Sequence, residues 1–326
     1  MSGGCWALHR LIVPAPVHCG RRNGGVDTDA AIGQPHLNNM FKYEQKILVS
    51  EVSRENMTFL QSRSGTIDYL ERPGSDGPAL VILHGIGSNA HSFTPLLAHL
   101  PGSWRVIAWN APGYGASAPL DVEWPLAADY AGALAGFVDR LGLERVLLAG
   151  HSLGCLMAAS FAASHRERVA RLLLSSPALG HGMLRGGQLS AAAQARIDDL
   201  QKLGAAAFAA QRAPKLVHDP EANPEVVSRV REAMSKVSLP GYAQAARMLA
   251  SGRLLDDLER LQVPTDVIVG AEDVVTPPDA ALRAHSALRK PWQGAFAAVP
   301  SAGHAIYQQA PAAFADALAA MAEGVA

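Results

Sequence analysis

Residues 145–165 read RVLLAGHSLGCLMAASFAASH. An apolar run ends at Ala149, the step Gly150-His151-Ser152-Leu153-Gly154 follows, and a small-residue helical pattern begins at once. A serine between two glycines at a strand-to-helix step is suited to presenting a nucleophile. The sharp turn exposes the hydroxyl at the carboxyl end of the strand, and the helix N-terminus behind it favours developing negative charge. Gly150 and Gly154 remove the side chains that would collide where strand and helix close on one another.

A serine hydroxyl is a weak nucleophile until a base takes its proton, and the base is best a histidine held by a carboxylate. Of the 12 histidines, His304 in VPSAGHAIYQQAP follows the last strand-like run and precedes the last helical one. That is a strand carboxyl end, the same edge as Ser152. His165, His181, His218 and His285 fall on helices or in the insertion described below. For the acid, Asp273 follows the run TDVIVG in the loop GAEDVVTPP, with Glu272 as its neighbouring competitor. Asp266 enters that strand at the opposite end. The order is therefore Ser, Asp, His, each after a different strand. The tetrahedral transition state needs two oxyanion donors. Leu153 N–H is one, and the loop HGIG (84–87) offers Ile86 N–H as the second, although an ordinary glycine turn would account for those glycines equally well.

These residues need a scaffold that brings strand ends together. From about residue 43 short apolar runs alternate with helical patterns. TIDYLERP (66–73) alternates polar and apolar residues as an antiparallel edge strand does. ALVILH (79–84), WRVIAWN (104–110) and RVLLAG (145–150) are continuous apolar runs, the mark of strands buried on both faces, and VARLLLSS (169–176), TDVIVG (265–270) and AFAAVP (295–300) read as further strands. Helical spacing lies between them at 126–140, 153–165, near 279–289 and at 311–322. Such alternation predicts an α/β fold, a mostly parallel eight-stranded sheet with helices on both faces. Residues 178–252 break the rhythm. They are alanine-rich, helical in pattern and punctuated at Pro214, Pro220, Pro224 and Pro240, which predicts a helical cap over the strand ends. The core is then 40–177 plus 253–326.

The chain of 326 residues has a net charge of −1 with 17% charged residues, which argues against a nucleic-acid surface. Cys5, Cys19 and Cys155 are too few and scattered for a disulfide framework or a zinc site, and no apolar stretch is long enough to span a membrane. Residues 1–39 carry Gly, His, Arg and Pro without a period and read as a disordered extension ahead of a start at Met40, a poor export or transit signal being the alternative.

HGIG (84–87), NAPGYGAS (110–117), GHSLG (150–154), GAEDVVTP (270–277) and SAGH (301–304), in this order, resemble the α/β-hydrolase superfamily in its lid-bearing branch, over residues 60–324. The resemblance implies Ser152, Asp273 and His304 as a triad, and Ile86 and Leu153 as oxyanion donors. The family usually has aspartate where this chain has Asn110, so an acidic structural contact is missing. A serine nucleophile disfavours epoxide hydrolases and haloalkane dehalogenases, which use a carboxylate.

Other residues read as support. Cys155 is a small core residue, His84 a scaffold for the oxyanion loop, and His151 points toward neighbouring loops. Trp104, Trp109 and Trp124 are core or rim, and Met183, Met234 and Met248 line an acyl pocket or pack helices. The PGYG turn lacks the third glycine and the acid of a nucleotide loop.

The expectation is a cytoplasmic serine hydrolase, monomer or homodimer, cleaving a small or medium carboxylic ester or related acyl compound without metal or cofactor. Its only expected partner is the small-molecule substrate. A carbon–carbon bond hydrolase or enol-lactonase of aromatic degradation shares the chemistry, with haloperoxidation as a side reaction. Ala305 after His304 and the HGIGS loop depart from the Trp and Gly-Pro-Gly of the carbon–carbon hydrolases. A non-catalytic small-molecule receptor of the same fold is the expectation from another class.

Overall fold

The computed structural model describes residues 59–323. The expectations for residues 1–39 and for Met40 lie outside the described residues.

Eight strands form one sheet: β1 (Leu60–Ser64), β2 (Ile67–Arg72), β3 (Ala79–Leu83), β4 (Arg105–Trp109), β5 (Val146–His151), β6 (Val169–Ser175), β7 (Thr265–Gly270) and β8 (Gln293–Val299). Their order is β1-β2-β4-β3-β5-β6-β7-β8, antiparallel where β2 meets β1 and β4 and parallel elsewhere. β3, β5, β6 and β7 are buried almost throughout because helices cover both sheet faces, whereas β8, at the far edge, leaves Ala295, Ala297 and Ala298 exposed.

Alternate residues point to opposite faces. Val81, Leu83, Leu148 and Leu172 pack with Leu134 and Phe137 of α1 (Ala127–Arg140) and with α2 (Leu153–Ser164). Leu80, Ile82, Leu147 and Ala149 face the other way, against Phe93 and Leu96 of the 3-10 stretch Ala90–Ala98 and Phe314 and Leu318 of α9 (Pro311–Ala322). Each fully buried side chain of this size contributes about 2–3 kcal/mol of apolar transfer. Helix α2 is buried from Leu153 to Ala162, which is why its sequence is small and apolar all round instead of amphipathic.

The strand expected at the edge lies one place in. β2 is flanked by β1 and β4, and β1 is the edge. The polar sequence LQSRS of β1 gives no apolar alternation, so nothing local announces it. The inner position of β2 lets Arg72, 1% exposed, reach the carbonyls of Leu97, Leu100, Pro101 and Trp104 where the Ala90–Ala98 stretch ends.

Between β6 and β7 the strand–helix rhythm stops. α3 (Ala191–Arg212, broken at Gly204), α4 (Pro224–Met234), α5 (Gly241–Ser251) and α6 (Leu254–Leu258) follow one another. A Cβ on Gly241 would lie 1.9 Å from the Gly113 carbonyl oxygen, so the PGYG turn and the start of α5 meet backbone to backbone. After β7 come α7 (Pro278–Ala287), β8 and the short α8 (Ile306–Gln309).

β3 pairs with β4 on one side and β5 on the other, so the crossovers reverse direction there. In open parallel sheets the crevice at the carboxyl ends of strands flanking such a reversal is where ligands bind. The HGIG loop leaves β3 at that point and Ser152 leaves β5.

Candidate active site

Ser152 follows β5 and heads α2 with φ 53° and ψ −114°. A non-glycine residue in this sparsely occupied backbone region is strained by the order of 1–3 kcal/mol, and such strain clusters at functional sites. Its N–H donates to the Ser175 carbonyl at 2.9 Å. Gly150 has the steric task expected of it, where β5 and α2 close on one another, whereas Gly154 is required by the neighbouring strand β3. A Cβ on Gly150 would sit 2.6 Å from the Gly154 carbonyl oxygen, and one on Gly154 would sit 2.4 Å from the Leu83 carbonyl oxygen. Leu153 is the first residue of α2, so its N–H is one of the four donors a helix start leaves without an intrahelical acceptor. The HGIG loop presses on the serine: a Cβ on Gly85 would lie 2.9 Å from the Ser152 Cβ.

His304 and Asp273 meet although 31 residues separate them. His304 Nδ1–H donates to Asp273 Oδ2 at 2.8 Å, and both side chains are buried. Asp273 Oδ1 accepts from the N–H groups of Val275 (2.8 Å) and Thr276 (2.9 Å). Burial pushes the Asp273 carboxyl up. The hydrogen bond and charge of His304, with the Thr276 and Val275 N–H groups, outweigh it and hold the pKa at about 2. The carboxylate is therefore ionised at neutral pH, and Nε2 is the imidazole nitrogen left for the cavity. Glu272 is exposed and has no contact with the imidazole; Asp266 lies at the far end of β7, bonded to Ala295 N–H and Arg171.

Thr276 was not anticipated. Its hydroxyl lies 2.9 Å from both Asp273 Oδ2 and the Ser176 carbonyl, and 3.1 Å from His304 Nδ1. Only the position of the TP pair after Asp273 could have pointed to it.

His84 and His151 support the site as neutral imidazoles. His84 Nδ1–H donates to the Gly85 carbonyl at 2.9 Å and Nε2 accepts from Ala111 N–H at 3.0 Å, tying the HGIG loop to the end of β4. Burial lowers its pKa to about 4. His151 Nε2–H donates to the His304 carbonyl at 2.8 Å, so the loop it points toward is the one that carries His304. Burial, then the neighbouring His304, lower its pKa to about 3. Cys155 is buried in the core with its thiol pushed well up by burial, as a small packing residue would be.

The acidic contact that Asn110 removes is restored from another strand. Asn110 Nδ2 donates to Asp68 Oδ2 at 2.7 Å, and the same carboxylate oxygen accepts from Ala116 N–H. Of the three methionines, Met234 reaches the cavity beside Ser152, whereas Met248 is fully buried in the core and Met183 is outside the lining.

Ser152, His304 and Ile86 line one cavity of about 510 Å³, with side chains from α3, α4 and α5 also in its lining. Gln309 joins the His304 loop to the turn after α3. Its Oε1 accepts from Gly303 and His218 N–H and its Nε2 donates to the His218 carbonyl.

Comparison with known proteins agrees with this architecture. The chain is 26% identical over 219 residues to 3-oxoadipate enol-lactonase 2 of Acinetobacter baylyi, covering 67% of this chain and 79% of that one. It is 27% identical over 218 residues to a pimeloyl-[acyl-carrier protein] methyl ester esterase of Neisseria meningitidis, covering 60% and 75%. In fold it is similar to a thermophilic esterase from Thermogutta terrifontis (TM-score 0.68, 24% identity, 81% of this chain and 97% of that). It is similar likewise to the enol-lactonase of Burkholderia xenovorans LB400 (TM-score 0.69, 21% identity, 80% and 99%). The model of the alpha/beta hydrolase family matches residues 80–317, and the chain belongs to that family.

Proposed function

We propose that the protein is a serine hydrolase cleaving a small or medium carboxylic ester or related acyl compound through an acyl-enzyme. The observation that carries this is the buried His304–Asp273 hydrogen bond opening onto the cavity that Ser152 lines. Ser152 Oγ attacks the acyl carbonyl while His304 Nε2 takes the hydroxyl proton, and Asp273 stabilises the imidazolium. The N–H groups of Ile86 and Leu153 hold the oxyanion, each donor being worth about 3–4 kcal/mol of barrier. His304 returns the proton to the leaving oxygen, then takes one from a water that attacks the acyl carbonyl. The acyl–Oγ bond breaks as His304 returns that proton to Ser152 Oγ, restoring the free hydroxyl and releasing the acid. Residues 178–252 serve as a cap that shapes the substrate's space.

Hydrolysis of an enol-lactone uses the same steps, and the similarity to 3-oxoadipate enol-lactonase 2 favours including lactones in a test. The test is a panel of p-nitrophenyl esters of increasing chain length and of lactones, beside labelling by a fluorophosphonate. We expect turnover and labelling in the wild type and loss of both in Ser152→Ala with an unchanged melting temperature. Turnover retained by that variant refutes the assignment. No turnover and no labelling in the wild type would favour a ligand receptor.

A further inference from the structure

The cavity lining is unbalanced in charge. It contains Arg196, Arg212 and Lys215 and no aspartate or glutamate, in a chain whose net charge is −1. All three cations stand on α3 or the turn just after it, on the cap side, whereas Ser152 and His304 rise from the sheet. Arg196 and Lys215 have no carboxylate partner among the described residues. Arg212 is held in place at 3.3 Å from Asp199, a half-exposed pair, with its guanidinium 4.5 Å over the Phe208 ring. The remainder of the lining is mostly apolar, including Leu179, Met234 and Leu249.

Three cations line one cavity, and Asp199, outside the lining, pairs with only one of them, so the site keeps a net positive charge that a largely apolar wall makes more attractive to an anion than it would be in open water. Arg196 and Arg212 are partly buried in this lining, and Lys215 joins it from an exposed position. We propose that the substrate is an acyl compound carrying a second, remote carboxylate, with the scissile carbonyl at Ser152, the carboxylate against Arg196, Arg212 and Lys215, and the chain between them along the apolar wall. This rests on the serine-hydrolase reading above. Arg offers a planar fork that matches a carboxylate and Lys a mobile point charge, so the site tolerates more than one chain length.

The test compares p-nitrophenyl hydrogen adipate and hydrogen suberate with the corresponding primary amides, which are neutral and nearly the same shape. Wild type should favour the acids by about tenfold or more in kcat/KM, chiefly through KM, and the preference should shrink as salt rises from about 0.02 to 0.5 M. Arg196→Gln with Lys215→Gln should bring the ratio of acid to amide toward one. Lys215→Glu, at an exposed position and so safe for folding, should lower it further. Equal or better turnover of the amides by wild type, or a preference untouched by salt and by both variants, overturns the proposal. Ser152→Ala separates the two claims. If it abolishes turnover of acids and amides alike while no preference for acids exists, only the carboxylate site falls. If it abolishes neither, the serine-hydrolase reading falls as well.

Discussion

The imidazole of His151 lies against that of His304, ring centroids 4.8 Å apart, and donates through Nε2 to the His304 backbone carbonyl at 2.8 Å. The last residue of β5, beside the candidate nucleophile, thus fixes the loop that carries the candidate base. His151→Ala removes a hydrogen bond worth about 1 kcal/mol and the packing that accompanies it. We expect kcat to fall about tenfold with little change in KM, and His151→Gln, which keeps a donor, to recover part of it. Steady-state kinetics on a p-nitrophenyl ester checks this, and equal rates for His151→Ala and wild type would contradict it.

Asp273 holds the imidazole in the tautomer with Nδ1 protonated. Asp273→Asn keeps the shape and forfeits the charge, so kcat should drop about 10⁴-fold while the protein stays folded. Thr276→Val removes one hydrogen bond to the same carboxylate and should cost about tenfold. A larger loss for Thr276→Val than for Asp273→Asn would reverse the assigned ranking.

Buried neutral histidines make stability depend on pH. In the unfolded chain a histidine binds a proton below about 6.5, whereas folded His84 and His151 stay neutral until about 4 and about 3. Between these values the unfolded state holds more protons, so stability falls as pH is lowered. The loss begins near pH 6.5 and continues to about 3, with Asp273 adding to it as pH falls from about 4 toward 2. Thermal melting at pH 7.5, 6 and 5 should show a progressive decline, least in a His151→Gln variant. A flat profile would exclude neutral burial of both rings.

Gly154 has no room for a methyl group. Gly154→Ala would force its Cβ to 2.4 Å from the Leu83 carbonyl oxygen, which α2 and β3 can relieve only by moving apart. The expected destabilisation is about 2–4 kcal/mol, the range for overpacking at a backbone contact. Urea unfolding measures it, and a variant as stable as wild type would mean that α2 and β3 are loosely packed at this contact.

The sequence by itself determined what is local. The glycine–serine–glycine step, the buried strands β3 to β7 and α9 over Pro311–Ala322 were legible because each shows in a pattern of neighbouring residues, and the order of Ser152, Asp273 and His304 is read directly along the chain. Alternation of apolar runs with helical spacing likewise sufficed for a mostly parallel sheet. Only the tertiary structure decided that β2 is interior, because its polar cover β1 has no pattern of its own. It alone brought Asp68 to Asn110, 42 residues apart, and the Thr276 hydroxyl to the Ser176 carbonyl, 100 residues apart. It alone collected three cations from α3 and the following turn into one cavity. A hydrogen bond between distant residues, or a shared cavity, depends on which strands and helices become neighbours, and that is set by the packing of the whole core rather than by the spacing of any one segment.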